Sequence, residues 1–307
     1  MATDLTRRNV IRQLDAMGVE DFEIGVLVPE QGEEDAKMML REWDRDTLLK
    51  SLGWLKGQNA SGNHIFIRPN GSQGLIFMDD LNVSSLMEIE RAGIKPAAVV
   101  ESSPLNFQAW VRVSNEPIDA DLASAIGRTL ARRFRGDPNS TDWRHFGRLV
   151  GFTNRKPQYV NDSGHFPFVK LSESTTRAGE HIDSDAIVEL VKAGKVLLEE
   201  ERAAQLAEIE RLKAARNDNQ TPYYDLKDPT EFYRSELHGL MGRFGKKLDL
   251  SLADWTIGKN MREKGYVAEQ VMIAILEASP SLNSRKSGHV EDYVRRTVNK
   301  LYGLDAA

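Results

Sequence analysis

The spacing of apolar residues divides the chain into a mixed first part and a helical last part. Helical spacing predicts a first helix over residues 5–17, which Gly18 ends. Further helices are expected over 83–92 and 119–134. Alternating or continuous apolar runs predict strands, and these runs cover residues 22–28, 64–68, 74–81, 97–102, 107–113 and 166–171. Short connections between such strands favour an α+β fold, with helices packed on an antiparallel sheet.

Two turn sequences predict how these strands are connected. Residues 69–72, Pro-Asn-Gly-Ser, predict a hairpin between the strands over 64–68 and 74–81. Residues 103–106, Ser-Pro-Leu-Asn, predict a turn between the strands over 97–102 and 107–113.

The pattern changes near residue 183. Apolar residues at helical spacing, mixed with glutamate and arginine, predict a long solvated helix to about residue 216. The segment from 228 to 303 is helical throughout, with breaks at Gly245, Gly265, Pro280 and Gly288. We therefore expect a first domain over 1–182, a linking helix over 183–217 and a helix-bundle domain over 218–307.

Composition excludes several kinds of protein. The chain has 307 residues and no cysteine, which excludes disulfides, cysteine nucleophiles and thiolate zinc sites, so no zinc is expected. The first residues contain no apolar targeting segment, and no run is long enough to span a membrane, so a cytoplasmic protein is expected. A Walker A loop is absent, which argues against a P-loop ATPase. Six histidines form no His-x-His pair, which argues against a histidine-metal nickase.

Two adjacent carboxylates, Asp79 and Asp80, end the apolar run over 74–81. Buried charge costs several kcal/mol unless it is paired or bound to metal. Carboxylate oxygens suit Mg²⁺ or Mn²⁺ and phosphoryl transfer. Neighbouring residues of a regular strand face opposite ways, so both can serve one centre only if the strand bends or ends there. Alternatively, Asp80 or Asn82 caps the helix that follows.

The segment from 128 to 156 is strongly basic, although the net charge of the chain is −5. Its clustered arginines are expected to contact phosphates. Within it, Asp137 is either a third metal ligand or a salt-bridge partner. His145 either contacts a triphosphate or is structural. The turn around Ser103 offers hydroxyl and amide groups to a phosphate or base, or is an ordinary turn. The basic turn and helix over 285–300 form a further candidate DNA contact, or a solvated helical face.

Three segments resemble the RepB-type DNA primases of broad-host-range mobilisable plasmids. They are Met-Asp-Asp-Leu at 78–81, Ser-Pro-Leu-Asn-Phe-Gln-Ala-Trp at 103–110 and Arg-His-Phe-Gly-Arg-Leu-Val-Gly-Phe-Thr-Asn-Arg-Lys at 144–156. The resemblance covers nearly the whole chain. It implies an archaeo-eukaryotic-primase-like catalytic domain with an RRM-like sheet, a long linking helix and a C-terminal helix bundle.

The resemblance also implies an activity: template-directed, metal-dependent nucleotidyl transfer that starts primers on single-stranded plasmid origin DNA, which includes hairpin origins. It implies Mg²⁺ or Mn²⁺ in a two-metal site, NTP or dNTP substrates, and a plasmid helicase and initiator proteins as partners. Asp79, Asp80 and Asp137 match the catalytic, metal-binding residues.

The expected contacts of the other site residues are of two kinds. Those expected to bind nucleotide or phosphate are Ser103, Asn106, Gln108, Arg144, His145 and Arg148. Those expected to bind DNA are Arg132, Arg133, Arg155, Lys156, Arg285 and Lys286.

Two features depart from the wider primase superfamily. Its first carboxylates are usually spaced Asp-x-Asp, whereas Asp79 and Asp80 are adjacent, which leaves open which of them binds metal directly. Its second motif usually offers a histidine, where this chain has Asn106 and Gln108. Two other functions stay open: a two-metal nuclease that uses the same carboxylates, and a non-catalytic module that binds single-stranded origin DNA.

Overall fold

The computed structural model describes residues 4–29, 36–174, 182–218, 226–245, 248–286 and 289–304, with backbone alone for 174, 208 and 212–218. Contacts divide the chain into two compact units, residues 1–197 and 198–307. A single helix, α6 (Asp185–Asp218), runs from the first unit into the second. The division falls inside the predicted linking helix, so the predicted domain limits at 182 and 218 stay a prediction.

The first unit contains two antiparallel sheets of four strands each. Sheet 1 has the order β2-β1-β3-β7. Its strands are β1 (Asp21–Val28), β2 (Lys37–Asp44), β3 (His64–Pro69) and β7 (Gly147–Arg148). Sheet 2 has the order β4-β6-β5-β8. Its strands are β4 (Leu75–Leu81), β5 (Ala98–Ser103), β6 (Asn106–Arg112) and β8 (Lys170–Ser174).

The helices of this unit begin with α1 (Leu5–Met17), which Asp4 caps and Gly18 ends in a left-handed conformation. The others are α2 (Arg45–Lys50), α3 (Leu52–Ala60), α4 (Val83–Arg91) and α5 (Ala120–Phe134). One core joins α1, α2 and α3 to both sheets, with Phe77 and Trp110 from sheet 2. A second core joins the other face of sheet 2 to α4, α5 and the start of α6. Alternate residues of β4 and β6 therefore belong to different cores.

The predicted α+β class and the hairpin between β5 and β6 are confirmed. The predicted hairpin between β3 and β4 is wrong, because these strands lie in different sheets. Gly74 has a φ of +67°, and an added Cβ would lie 2.3 Å from the carbonyl oxygen of Ser114. The chain turns away at this glycine, and β4 pairs with β6 instead.

Three elements between residues 37 and 60 were not predicted. The strand β2 is an edge strand, and most of its side chains are exposed, so no apolar alternation marks it. It is held by backbone pairing with all of β1. The last strand begins at Lys170 rather than at 166, and Phe168 forms only an isolated bridge with Thr153.

The second unit is helical in the part of the chain that the structure describes, as predicted. Its helices after α6 are α7 (Pro229–Phe244), α8 (Leu250–Glu263), α9 (Ala268–Ala278), α10 (Leu282–Arg285) and α11 (Val290–Tyr302). Their apolar faces form one core. The predicted breaks at Gly245, Gly265 and Pro280 separate these helices, and Gly288 lies outside the described residues. None of the helices in the described ranges is long and apolar enough to cross a membrane.

A buried polar network fixes the centre of this bundle. Asp254 is fully buried and accepts hydrogen bonds from Tyr233, from Ser279 at 2.6 Å and from Tyr293 at 2.7 Å. The guanidinium of Arg285, 4% exposed, donates to Asp254 at 2.9 Å. Burial and the nearby Asp254 charge raise the pKa of Tyr293 to about 12, so this tyrosine stays a donor. The carboxylate thus links α7, α8, α9, α10 and α11.

We predict that Asp254→Ala destabilises the bundle by about 3–5 kcal/mol, because it leaves the buried Arg285 charge without its partner. Native-state hydrogen exchange of the full chain measures this loss separately for the amides of α7–α9. The matched control in the same helix is Glu263→Ala, which removes an exposed pair with Lys259 and should cost less than about 1 kcal/mol. Unchanged protection in Asp254→Ala would contradict the structural role of this network.

Candidate active site

A β-bulge sets the geometry at the end of β4. Met78 pairs with Ala109 and Leu81 with Phe107, so Asp79 and Asp80 together oppose the single residue Gln108. Asp80 has a φ of +55°, in the left-handed region that aspartate and asparagine tolerate better than most side chains. The strand therefore bends at the acidic pair, as it must if both carboxylates are to serve one site.

The bulge places both carboxylates over one face of β6. Asn106 and Gln108 are two residues apart on β6 and so share a face. The amide of Gln108 donates to Asp79 at 3.0 Å, and that of Asn106 donates to Asp80 at 2.9 Å. Asn82, not Asp80, caps α4, accepting from the backbone N–H of Ser85 at 3.0 Å. The aspartates are thus not needed as helix caps.

Asp137 is joined to the bulge through the backbone. Its N–H donates to the carbonyl of Asp79 at 3.0 Å. The preceding Gly136 lies so close that an added Cβ would be 3.2 Å from the same carbonyl oxygen. Arg135 ends α5 in the left-handed conformation and turns the chain toward this contact. The backbone of the distant segment that carries Asp137 therefore contacts the backbone of the acidic pair.

The carboxyl groups differ in their electrostatics. Burial raises the pKa of Asp79, and the Asp80 charge adds to this, although hydrogen bonds from Gln108 and the Asp80 N–H oppose the shift. For Asp137, burial also raises the pKa, but hydrogen bonds from Ser140 and Asn139, with His145 nearby, outweigh it. The pKa of Asp137 therefore lies below its usual value, and Asp79 is the carboxyl that bears the desolvation cost.

His145 lies beside these carboxylates. Its ring stacks on Phe77 with 5.4 Å between centroids and 12° between planes. Burial lowers the pKa of His145, whereas the charges of Asp79, Asp137 and Asp142 act in the opposite direction. The neighbouring Arg144 forms a two-point ion pair with Asp142, at 3.2 and 2.9 Å. Of the two predicted triphosphate contacts, His145 thus lies beside the acidic pair, whereas the Arg144 side chain is paired with Asp142.

Gln108 connects the acidic pair to a buried arginine. Its amide oxygen accepts from the backbone N–H of Arg148 at 2.8 Å, while its NH₂ group donates to Asp79. The Arg148 side chain is buried, and its Nη1 lies 3.2 Å from Nδ1 of His64. Arginine can only donate, so this contact requires Nδ1 of His64 to be unprotonated. Burial and the nearby cations lower the pKa of His64 to about 4, which meets that requirement.

His64 and Arg68 were not predicted from the sequence as site residues. Arg68 pairs with Glu23 at 2.7 Å, donates to the carbonyl of Arg144 and lies over the ring of Phe146. It thereby holds the loop that carries His145 against β3. No sequence motif marks either residue, because each contacts site residues that are far away along the chain.

Comparisons with known proteins agree with this architecture. Residues 49–196 match the family model of the RepB DNA-primase N-terminal domain, and 248–301 match that of the RepB DNA-primase C-terminal helical domain. The crystal structure of primase RepB′ is 37% identical with a TM-score of 0.58, over 98% of this chain and 95% of that one. The chain belongs to the RepB DNA-primase family. The family predicted from the sequence motifs is thereby confirmed.

Other proteins that are similar to this chain differ from it in length. Mobilization protein A of Escherichia coli is 40% identical over 99% of this chain, which spans only 41% of that protein. A DNA primase of Acidithiobacillus ferrooxidans is 28% identical over 78% of this chain and 68% of its own length. The catalytic domain of primase RepB′ in complex with initiator DNA is 39% identical with a TM-score of 0.56, over 64% of this chain.

The other predicted site residues differ in their exposure to solvent. Ser103 is buried at the β5–β6 turn, and its expected phosphate contact stays a prediction. Arg132 and Arg133 are exposed in the last turn of α5, and Lys156 is exposed in the loop after β7. Arg155 lies over the ring of Phe166 at 4.3 Å.

The prediction that Arg285 binds DNA does not fit the structure. Its guanidinium is committed to the buried pair with Asp254 and is nearly inaccessible. Lys286 lies over the ring of Tyr293 at 4.3 Å. Composition could not reveal this, because a buried arginine and a surface arginine look alike in a basic run.

The carboxylate oxygens at the bulge suit a hard divalent cation whose remaining ligands come from a bound substrate. In the described ranges, no three histidine or acidic side chains lie close enough to hold a metal by themselves. Both hydrogen bonds to Asp79 end on its Oδ1, which leaves Oδ2 without a donor from the described residues. Magnesium is commonly held by one or two carboxylates, with substrate phosphates completing its shell. The oxygens at the bulge fit that pattern.

A separate cavity of about 660 Å³ opens in the second unit beside α6, α9 and α11. Met272, Leu276 and Val294 form its apolar part, whereas its charged lining includes both Arg295 and Glu291. Mixed charges of this kind give no preference for a phosphate, and the cavity contributes no residue to the acidic site.

We predict that Asp79→Asn stabilises the fold in metal-free buffer at about pH 7. The raised pKa of Asp79 means that its stabilising, protonated form is present below pH 3.8 and is lost as pH rises through the folded-state pKa. Asparagine keeps an oxygen for both donors but has no charge to desolvate. The gain in melting temperature should therefore vanish below pH 3.8.

Thermal denaturation at the two pH values measures this effect. The control is Asp80→Asn, because asparagine also tolerates the left-handed conformation and the Asp80 carboxyl is exposed. If the melting temperature of Asp79→Asn at neutral pH is equal to or below that of the wild type, the prediction is wrong, because burying the Asp79 charge then has no net cost.

Proposed function

We propose that this chain is a DNA primase that starts primers on single-stranded plasmid origin DNA by template-directed, metal-dependent nucleotidyl transfer. The observation that carries the proposal is the bulge in β4. It turns Asp79 and Asp80 toward one face of β6 and lets the Asp79 carbonyl accept from the N–H of Asp137. A simple DNA-binding module has no use for clustered carboxylates, which repel phosphate.

We propose that Asp79, Asp80 and Asp137 hold Mg²⁺ or Mn²⁺ together with the triphosphate of an incoming NTP or dNTP. A cation bound there would polarise the transferred phosphoryl group and favour ionisation of the primer 3′-hydroxyl. Ser140 and Asn139 already contact the Asp137 carboxylate, but a carboxylate has about four lone-pair sites and can accept further contacts. Such sharing explains why no complete metal cluster exists among the described side chains.

We assign the surrounding residues by their position. Gln108 holds the Asp79 carboxylate in place, and Asn106 does the same for Asp80. Arg144 and His145 stand where they can contact the triphosphate. The exposed cations Arg132, Arg133 and Lys156 would contact the template backbone, which attracts them electrostatically. The Arg148 side chain is buried against His64, and its backbone N–H binds Gln108, so we assign it a positioning role.

The wider setting follows from the family. We propose that the template is single-stranded DNA, since a relative carries initiator DNA in its structure. We also propose that the chain acts in the cytoplasm with a plasmid helicase and initiator proteins.

We predict that Asp79→Asn and Asp137→Asn each reduce primer synthesis roughly 100-fold or more, because each removes one charge from the cation site. The measurement follows labelled nucleotide incorporation on a single-stranded template, with products separated by length. Asp46→Asn, an exposed aspartate in the first turn of α2, is the control and should keep full activity.

Undiminished synthesis by both variants would refute the assignment of these carboxylates. Shortening of the template by wild type, with no new strand made, would instead establish a nuclease that uses the same site.

We also predict that Mn²⁺ binding depends on nucleotide. The described side chains offer no complete site, so wild type should bind Mn²⁺ weakly alone and more tightly when a nucleoside triphosphate is present. Electron paramagnetic resonance of free Mn²⁺ measures both affinities, with the nucleotide–Mn²⁺ complex titrated separately. The nucleotide-dependent gain should disappear in Asp79→Asn and persist in Asp46→Asn. An equal gain in both variants would locate metal binding elsewhere.

A further inference from the structure

Exposed apolar and basic side chains cluster on the catalytic unit beside the acidic pair. Phe168 is 58% exposed and Leu105 is 72% exposed, and exposed apolar residues that cluster mark a binding surface. Lys156 and Lys170 are exposed as well. We call this set, completed by Arg155 and Phe166, the stacking surface.

The backbone holds Phe168 outward. Thr153 and Phe168 form a β-bridge, and the N–H of Asn154 donates to the carbonyl of Pro167 at 2.9 Å. The next residue, Val169, is buried, so alternation turns Phe168 to the opposite side. Fixed backbone contacts on both sides mean that exposure of the Phe168 ring is built into the fold.

The stacking surface is joined to the acidic pair by a chain of hydrogen bonds. The side chain of Asn154 donates to the carbonyl of Ser102 at 2.8 Å, and the Ser102 hydroxyl donates to Asn106 at 3.0 Å. Asn106 in turn donates to Asp80. These contacts connect Asp80 to Asn154, whose backbone N–H holds the Pro167 carbonyl directly before Phe168.

A second connection joins Leu105 to the rest of the surface. Glu101 accepts from the N–H of Leu105 at 3.4 Å and from Lys170 at 3.5 Å. Leu105 sits at the tip of the β5–β6 hairpin, directly before Asn106. The apolar tip and the Lys170 cation are thereby held next to each other on the approach to the site.

We infer that the stacking surface binds the bases of single-stranded template DNA next to the catalytic carboxylates. Flat aromatic rings with neighbouring cations are the combination that binds unpaired bases and their phosphates. Arg155 is already stacked on Phe166 at 4.3 Å, which orders both groups before DNA arrives. Bases in a duplex are stacked on one another, so only a single strand can offer a free base to Phe168. The inference rests on the proposed primase function and adds to it the residues that hold the template.

Binding of a fluorescent single-stranded oligonucleotide to the full-length protein tests this inference, measured by anisotropy in EDTA without nucleotide. Phe168→Ala should weaken binding about tenfold, the loss of one stacked base. Phe168→Trp keeps an aromatic ring at this position and should therefore match or exceed the wild-type affinity. Phe244→Ala is the matched control, because this phenylalanine is similarly exposed, at 55%, but lies in the second unit.

Two further arms separate stacking from charge. With an oligonucleotide of the same length that lacks bases, wild type and Phe168→Ala should bind equally. Lys156→Ala should instead reduce the slope of log affinity against log salt by about 0.7, as expected when one contact to a single-stranded phosphate is lost.

Each outcome decides the matter. Unchanged binding by Phe168→Ala, equal losses in Phe168→Ala and Phe244→Ala, or an equal loss on duplex DNA would overturn the inference. None of these results depends on metal or on Asp79, so failure of the stacking surface is distinguishable from failure of the proposed catalysis. Because Phe168 is exposed, the alanine variant should keep the wild-type melting temperature, which confirms that it folds.

Discussion

The extra residue in β4 is the constraint on which the rest of the first unit depends. In a regular strand, Leu81 would follow Leu75 and Phe77 toward the core shared by the two sheets. The bulge shifts it by one position into the other core, where it is fully buried. Full burial of a leucine is worth about 2 kcal/mol, so packing on the helix side holds the bulge in place. The same displacement turns Asp80 toward Asn106.

The surroundings of the bulge consist of contacts from distant parts of the chain. The Asp79 carbonyl accepts from Asp137 and its carboxylate from Gln108, which also holds Arg148 of β7. A left-handed aspartate and a buried carboxyl with a raised pKa are both unfavourable by themselves. The fold tolerates both because these long-range contacts hold the local backbone in one conformation. Such local cost is typical of residues that serve chemistry rather than stability.

The two units use buried charge in different ways. In the bundle, Asp254 is surrounded by donors and paired with Arg285, so its charge is satisfied within the protein. At the bulge, Asp79 has amide and N–H donors but no ion pair with a cation of the described residues, and one of its oxygens has no donor among them. The first arrangement holds helices together. The second leaves negative charge available for a cation, which is what the proposed catalytic role of Asp79 requires.

The sequence by itself determined the elements with strong periodicity, the β5–β6 hairpin, the acidic pair and the family. These features depend on neighbours in the chain or on short motifs, so local pattern contains them. Only the tertiary structure decided that β3 and β4 lie in different sheets, that His64 supports Arg148 and that Arg285 is buried. Periodicity states which face of an element is apolar, but not which distant surface covers that face. For the same reason the sequence could require a bend at Asp79 and Asp80, and only long-range packing of Leu81 and pairing with β6 could supply it.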